Sequence, residues 1–293
     1  MPGAVSGSQA PGAPVSEAGE TYVHPTAIVE DPAALGPGTR VEARAYVAAG
    51  SVMGSNVTVG PGVIVEEGAR VGAGTRLLTG TVLYAGSQLG ASCTVGPYAV
   101  IGGEPMDTAF RGEPSGVVIE DEVVIREFVT VHRATGEGNL TRVGAGTLLM
   151  SYAHVSHNTV VGRRCVLTTN VQLGGHSEIG DRANVGSSSL LHQFCRVGPY
   201  AMFGAASAAN QDVLPFAMAR GNPAKHYRLN SVGLRRSGIA GERYRLIESA
   251  LRAVRRRERA QLEELAAASE DARLLRDFLD TTRRGVARFV GGS

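Results

Sequence analysis

The chain has 293 residues, a formal net charge of +2, aromatic residues at only 5% and no tryptophan. A nearly neutral chain offers no global field to gather nucleic acid, and so few rings leave no platform for stacking bases. Glycine is abundant at 39 residues, but hydrophobic residues still make up 43%, which suits a corner-rich packed fold better than disorder.

Residues 1–20 are rich in Pro, Gly, Ala and Ser and have neither a basic start nor an apolar core. They predict a flexible tail and not a signal peptide. Nowhere does the sequence approach the ~20 apolar residues of a membrane span. Cys93, Cys165 and Cys195 are odd in number and widely separated, which fits small interior residues and no oxidising compartment. The expectation is a soluble, cytoplasmic protein with no nucleic-acid partner and no membrane span.

From Val23 an aliphatic residue or methionine recurs at every sixth position without a skip: Val23, Val29, Leu35, Val41, Val47, Met53 and so on to Leu89, Val95 and Ile101. The beat resumes at Ile119, Ile125 and Val131, and again from Val143 to Phe203. A period of six with one inward residue per repeat describes a solenoid of short flat strands, three repeats to a triangular coil of eighteen residues. Helical spacing, three or four residues, is absent from this region. The fold expected is therefore a parallel β-helix over residues 21–218, with small residues turning its corners.

Two interruptions break the beat. The first, at about residues 102–118, is long and charged and includes Asp107; the second, at about 136–142, is short. Insertions in a solenoid emerge as loops from one face and often build the binding site. Past Pro215 the composition shifts, and residues 219–293 predict an α-helical domain. Tyr244, Ile247, Leu251 and Val254 fall at helical spacing, Leu262, Leu265 and Ala266 form a second stripe, and Ser269 is placed to cap a third helix. Such a segment would cover the open strand edges at the end of the solenoid.

Of seven histidines, four fall between residues 154 and 192. Eighteen residues carry the chain one layer along the axis, so position 175 lies over His157 and 193 lies beyond it. His176 and His192 each fall within one residue of those positions, and His154 shares the coil of His157. Three imidazoles would thus stack near one edge, with layers about 4.8 Å apart. A neutral imidazole there could act as general base, a three-nitrogen shell could hold zinc, or polar residues could simply bond the corner backbone. Four together favour function. His24 and His132 follow inward residues outside these layers; the first reads as structural, the second as only weakly functional.

The segments Leu149–Asn158, Gly174-Gly175-His176 and Leu191–Cys195 resemble the UDP-N-acetylglucosamine O-acyltransferase family of lipid A biosynthesis. Ile125–Arg133, Gln211-Asp212-Val213 and Asn230–Gly238 are similar to it as well, so the likeness covers about residues 21–290. The resemblance implies a left-handed β-helix, a homotrimer with its site between subunits, and no cofactor or metal. It implies transfer of a fatty acyl chain, 3-hydroxyacyl in kind, from acyl carrier protein to the 3-hydroxyl of UDP-N-acetylglucosamine. By the same resemblance His157 is the general base and the Gly175 N–H the oxyanion donor. Asp107, His154, His176, His192 and Gln193 are substrate contacts, Asn230 and Arg236 lie at the nucleotide end, and Ala205 is the position that limits acyl length.

This chain departs from the family pattern in having Asn158 after the base, Ala109 two residues after Asp107, and Val232 and Ser237 in the tail motif. Those changes leave acyl transfer to a related amino-sugar nucleotide as one alternative. A zinc-dependent hydratase of the γ-carbonic-anhydrase type is another. The related N-acyltransferases carry a separate globular domain ahead of the β-helix, for which a beat beginning at Val23 leaves no room.

Overall fold

The computed structural model describes residues 19–291; all but the last two residues of the expected N-terminal tail lie outside them. Among the described residues the chain winds into three sheets of 12, 10 and 8 strands, parallel except for one antiparallel pair at the end of the first, and most strands are two residues long. Register partners stand eighteen positions apart: Val41 pairs with Val59, and Val59 with Leu77. Val47 and Val65 do the same on the second side, Met53 and Val71 on the third. Val41, Val59, Leu77 and their equivalents are fully buried in one continuous core. Each contributes about 1.5–3 kcal/mol of apolar burial, and each is sealed above and below by its counterpart in the next coil.

The interior holds two residues per repeat, one more than the six-residue beat predicts. The position two before each aliphatic residue is also buried, as at Thr39, Ala45, Ser51 and Val57. Hydroxyls there donate to the next layer: Thr75 Oγ1 to Gly90 O at 2.8 Å and Thr147 Oγ1 to Gly162 O at 2.8 Å. Cysteines do the same work, Cys93 Sγ to Glu120 O and Cys165 Sγ to Gly180 O, both at 3.2 Å. Burial pushes the Cys165 thiol up to about 12, so it stays protonated.

The corners turn through a left-handed residue three places before each aliphatic one. Glycine supplies it at Gly62, Gly68 and Gly74, but Tyr98, Phe128, Tyr152, Asn158, His176 and Phe194 occupy the same conformation with φ near +60°. For an L-residue this costs roughly 1–2 kcal/mol, which the surrounding ladders offset. Glycine is obligatory elsewhere on the corner: a Cβ on Gly72 would lie 2.4 Å from the backbone of Gly90 in the next coil. Carboxylates cap several corners from the layer beside them, as Asp121 does for the Ala91 N–H at 2.7 Å and Asp181 for that of Arg163 at 2.9 Å.

The interruptions are additions to single coils. Leu89 pairs with Ile119, thirty positions on, and Val131 with Val155, twenty-four on, while the ladder runs through unbroken. The first coil is the least covered. Val23 is exposed, and Val29 and Leu35 are only half-buried, because no coil of the described residues lies on their outer side.

At the other end the chain leaves the coil through an antiparallel hairpin, Ala217–Gly221 with Ala224–Leu229. Four helices follow: α1 (Ser231–Arg236), α2 (Gly241–Arg256), α3 (Arg259–Ala268) and α4 (Glu270–Asp280). Helices α2, α3 and α4 carry the three apolar stripes seen in the sequence, and Ser269 caps α4 by accepting from the Ala272 N–H. They build a second core with Leu214 and Phe216 over the last coil.

Two buried polar contacts clasp this end. Asp212 accepts from the Arg196 N–H, from Arg196 Nε at 3.0 Å and from Thr282 Oγ1 at 2.7 Å. His226 is fully buried; its Nε2 accepts from the Leu214 N–H at 2.9 Å, so its Nδ1–H donates to Ala287 O at 2.7 Å. Burial holds its pKa down at about 4. The unfolded chain therefore takes up the proton first, and stability is lost as pH falls from about 6.5 through 4, on the order of 3 kcal/mol. His154 adds to the loss in the same window. Urea unfolding at a series of pH values should show that slope, and His226→Phe should flatten it while lowering stability at pH 7.5 by about 2 kcal/mol.

Candidate functional site

The site forms where both insertions meet one corner of the coil. His157 is buried there, directly below Gly175. A Cβ on Gly175 would stand 2.5 Å from His157 Nε2, so glycine is the residue that leaves room for the ring. The Gly175 N–H has no intramolecular acceptor among the described residues, whereas the comparable corner amides of Ala91 and Arg163 are capped by carboxylates.

The tautomer of His157 follows from its neighbours. Asn158 is held at both ends by Thr135: the Thr135 N–H donates to Oδ1 at 2.9 Å, and Nδ2 donates to the Thr135 carbonyl at 3.0 Å. Oδ1 can only accept, so the 3.0 Å contact with His157 Nδ1 is donated by the imidazole. The lone pair is then on Nε2, the nitrogen that faces Gly175. Asp107, from the first insertion, stands with Oδ2 3.8 Å from His157 Nδ1. One potential ligand atom from each of Asp107, His157 and His176 lies within 4.8 Å of the other two.

Asp107 is held below the usual carboxylate range, first by the Ala109 N–H at 2.9 Å and then by the Thr135 hydroxyl. That hydroxyl closes no hydrogen bond of good geometry, yet lies near enough to favour the anion. At neutral pH the site holds a carboxylate. The flanking imidazoles are neutral. Burial, then His132 and His157, bring His154 down to about 4, and burial followed by His157 lowers His176.

The expected stack of three imidazoles does not form. His157 and His176 pack edge to face at 5.3 Å, but Phe194 lies over His176 at 4.7 Å. The reason is register: Asn158, His176 and Phe194 share one left-handed corner column, so His192 falls two places off it. His192 Nδ1 instead faces Gln193 O at 3.1 Å and the Arg284 guanidinium at 3.4 Å. His192 rejoins His154 across an open groove of about 470 Å³, lined also by Ser156, Leu190, Leu191 and Pro223. A second groove of about 320 Å³ holds Asn158, His176 and Phe194. Ser156 lines one groove and Asn158 the other, so His157 stands on the corner between them.

Other expected residues lie apart. Gln193 is exposed on the corner above Gly174. Ala205 is exposed on a different corner and lines neither groove. Asn230 is buried as the cap of α1, accepting from the Gly233 N–H and donating to Tyr200 O, and Arg236 is exposed at that helix's end. Within a single chain neither joins the histidines. His132, read from the sequence as only weakly functional, meets the His154 ring at 5.1 Å; Thr135, Phe194 and Arg284, not singled out in the sequence, also border these histidines. Phe194 was accessible by counting eighteen from His176; Thr135 and Arg284 have no periodic signal.

Comparison with known proteins decides the family. The family model described as UDP N-acetylglucosamine O-acyltransferase, domain 2, matches residues 212–287. An acyl-[acyl-carrier-protein]–UDP-N-acetylglucosamine O-acyltransferase of Burkholderia thailandensis is 39% identical over 202 residues, 65% of this chain and 77% of that protein. The chain belongs to the UDP-N-acetylglucosamine O-acyltransferase family. Solved members agree: the enzyme from Moraxella catarrhalis superposes with a TM-score of 0.80 at 32% identity, covering 91% of this chain and 99% of the other. The one from Campylobacter jejuni gives 0.72 at 34% identity with the same coverage. The coil is thus a left-handed β-helix, as its family resemblance implied, and the protein is an acyltransferase. No helix among the described residues is long and apolar enough to cross a membrane.

Gly175→Ala should displace the imidazole and cut acyl transfer by about a hundredfold, with the thermal unfolding profile little changed. Kinetics and calorimetry on the same preparation check both halves.

Proposed function

We propose that this protein moves a 3-hydroxyacyl chain from acyl carrier protein to the 3-hydroxyl of UDP-N-acetylglucosamine, as the first step of lipid A biosynthesis in the cytoplasm. The observation that carries the reading is His157 with its Nε2 lone pair fixed toward Gly175, in a chain of this family. A hydroxyl is a poor nucleophile until a base takes its proton. His157 Nε2 removes that proton as the oxygen attacks the thioester carbonyl. The Gly175 N–H, lacking an acceptor among the described residues, donates to the oxyanion of the tetrahedral intermediate. Collapse breaks the C–S bond, and the imidazolium returns its proton to the departing thiolate.

Neutral His154 and His176 contact the sugar nucleotide as donors or acceptors without adding charge, with Asp107 and Gln193 beside them. The groove between His154 and His192, with Leu190, Leu191, Ala208 and Ala209 along it, suits a hydrocarbon chain. Asn230 and Arg236 stand away from the histidines of their own chain, which supports a homotrimer in which a neighbouring copy brings the nucleotide end of the site; there the Arg236 guanidinium suits phosphate. Ala205 would then limit acyl length across that boundary.

The direct test offers the purified protein a panel of hydroxyacyl and plain acyl carrier proteins with UDP-N-acetylglucosamine, alongside a UDP-sugar bearing a 3-amine. Transfer to the hydroxyl with a preference for hydroxyacyl donors is the expected result. Transfer only to the amine would contradict it. His157→Ala should reduce turnover by at least about a thousandfold and leave the oligomer seen by size-exclusion chromatography unchanged.

A further inference from the structure

We infer that Asp107 and Asn158 divide between them the support of His157: Asn158 fixes its tautomer, and Asp107 supplies the negative charge that stabilises the imidazolium formed during turnover. This inference rests on His157 being the base. It gives Asp107 a positioning and electrostatic role beyond contact with the sugar.

The geometry separates the two tasks. An amide oxygen bonded to Nδ1–H at 3.0 Å can orient the ring but carries no net charge to meet a developing cation. Asn158 cannot rotate to offer anything else, because Thr135 engages both its oxygen and its nitrogen. The carboxylate nearest the ring is Asp107, with Oδ2 3.8 Å from the same Nδ1. Besides Asp107, the titratable groups facing His157 are His154 on its own coil and His176 on the next, and both are held neutral by burial. The local charge thus rests with Asp107. Its anionic form is itself secured by the Ala109 N–H, so the position without a lysine side chain still contributes through its backbone.

Both interruptions of the six-residue beat serve this arrangement. The first delivers Asp107. The second begins just past Thr135, whose backbone clamps Asn158. Without the insertions the corner would present His157 with no fixed tautomer and no counter-charge.

The experiment compares kcat and KM for the sugar nucleotide in the intact protein with those of Asp107→Asn and Asn158→Gly, with His157→Ala as control. Asp107→Asn keeps the shape of the side chain and removes its charge, so kcat should fall about tenfold or more with little change in KM. A carboxylate that only binds sugar would raise KM for the sugar nucleotide and leave kcat in place; that outcome overturns the inference. Asn158→Gly keeps the left-handed corner unstrained, since glycine accepts a φ near +58°. It should lower kcat about tenfold or more with little change in KM, and an unchanged kcat would remove Asn158 from the orienting role. Activity retained by His157→Ala would overturn the base assignment itself, whatever the other two variants do.

Discussion

Each coil of this protein is joined to the next by backbone hydrogen bonds between strands only two residues long, and such a ladder tolerates no slip. A shift of one residue would turn every aliphatic side chain outward. The eighteen-residue register is therefore what the rest of the structure depends on. It stacks Val41, Val59 and Leu77 into a sealed column, and it stacks Asn158, His176 and Phe194 into another on the surface. Additions are accepted only at corners, where they leave the ladder intact. That is why Asp107 and Thr135 arrive on loops while His157 sits on the rigid frame.

The same rule explains what could be read in the sequence. An inward residue every sixth position made the coil, its interruptions and its end visible, and the three apolar stripes anticipated α2, α3 and α4. The hairpin at 217–229 and the short helix α1 escaped, since a fold-back held by Asn230 and His226 has no period. Counting by eighteen brought His157 to Gly175 correctly. It misjudged His176 and His192 because a one-residue offset on a corner is a change of column: left-handed corner residues point differently from those beside them. The column of Asn158, His176 and Phe194 was there to be counted, but only once the left-handed position of each repeat was known.

Thr135 shows the harder limit. Its importance lies in its backbone, which bonds an amide twenty-three residues away, and a backbone leaves no trace in composition or spacing. Electrostatics are similarly hidden. Asp107 is anionic and His154 and His176 are neutral because of what surrounds them, and the residue types alone would permit the opposite assignment for either histidine. The site works by unequal burial: carboxylate near solvent, imidazoles beneath it.

His157 carries its proton on Nδ1 and presents a free Nε2 toward Gly175, and the proposed chemistry depends on that arrangement. Nitrogen-15 NMR of the imidazole, assigned through His157→Gln and recorded above pH 8, reads the tautomer directly. A protonated Nδ1 and an unprotonated Nε2 are expected, with the Nδ1 proton lost from that pattern in Asn158→Gly. A protonated Nε2 in the native protein would contradict it and leave the reacting hydroxyl without a base on this corner.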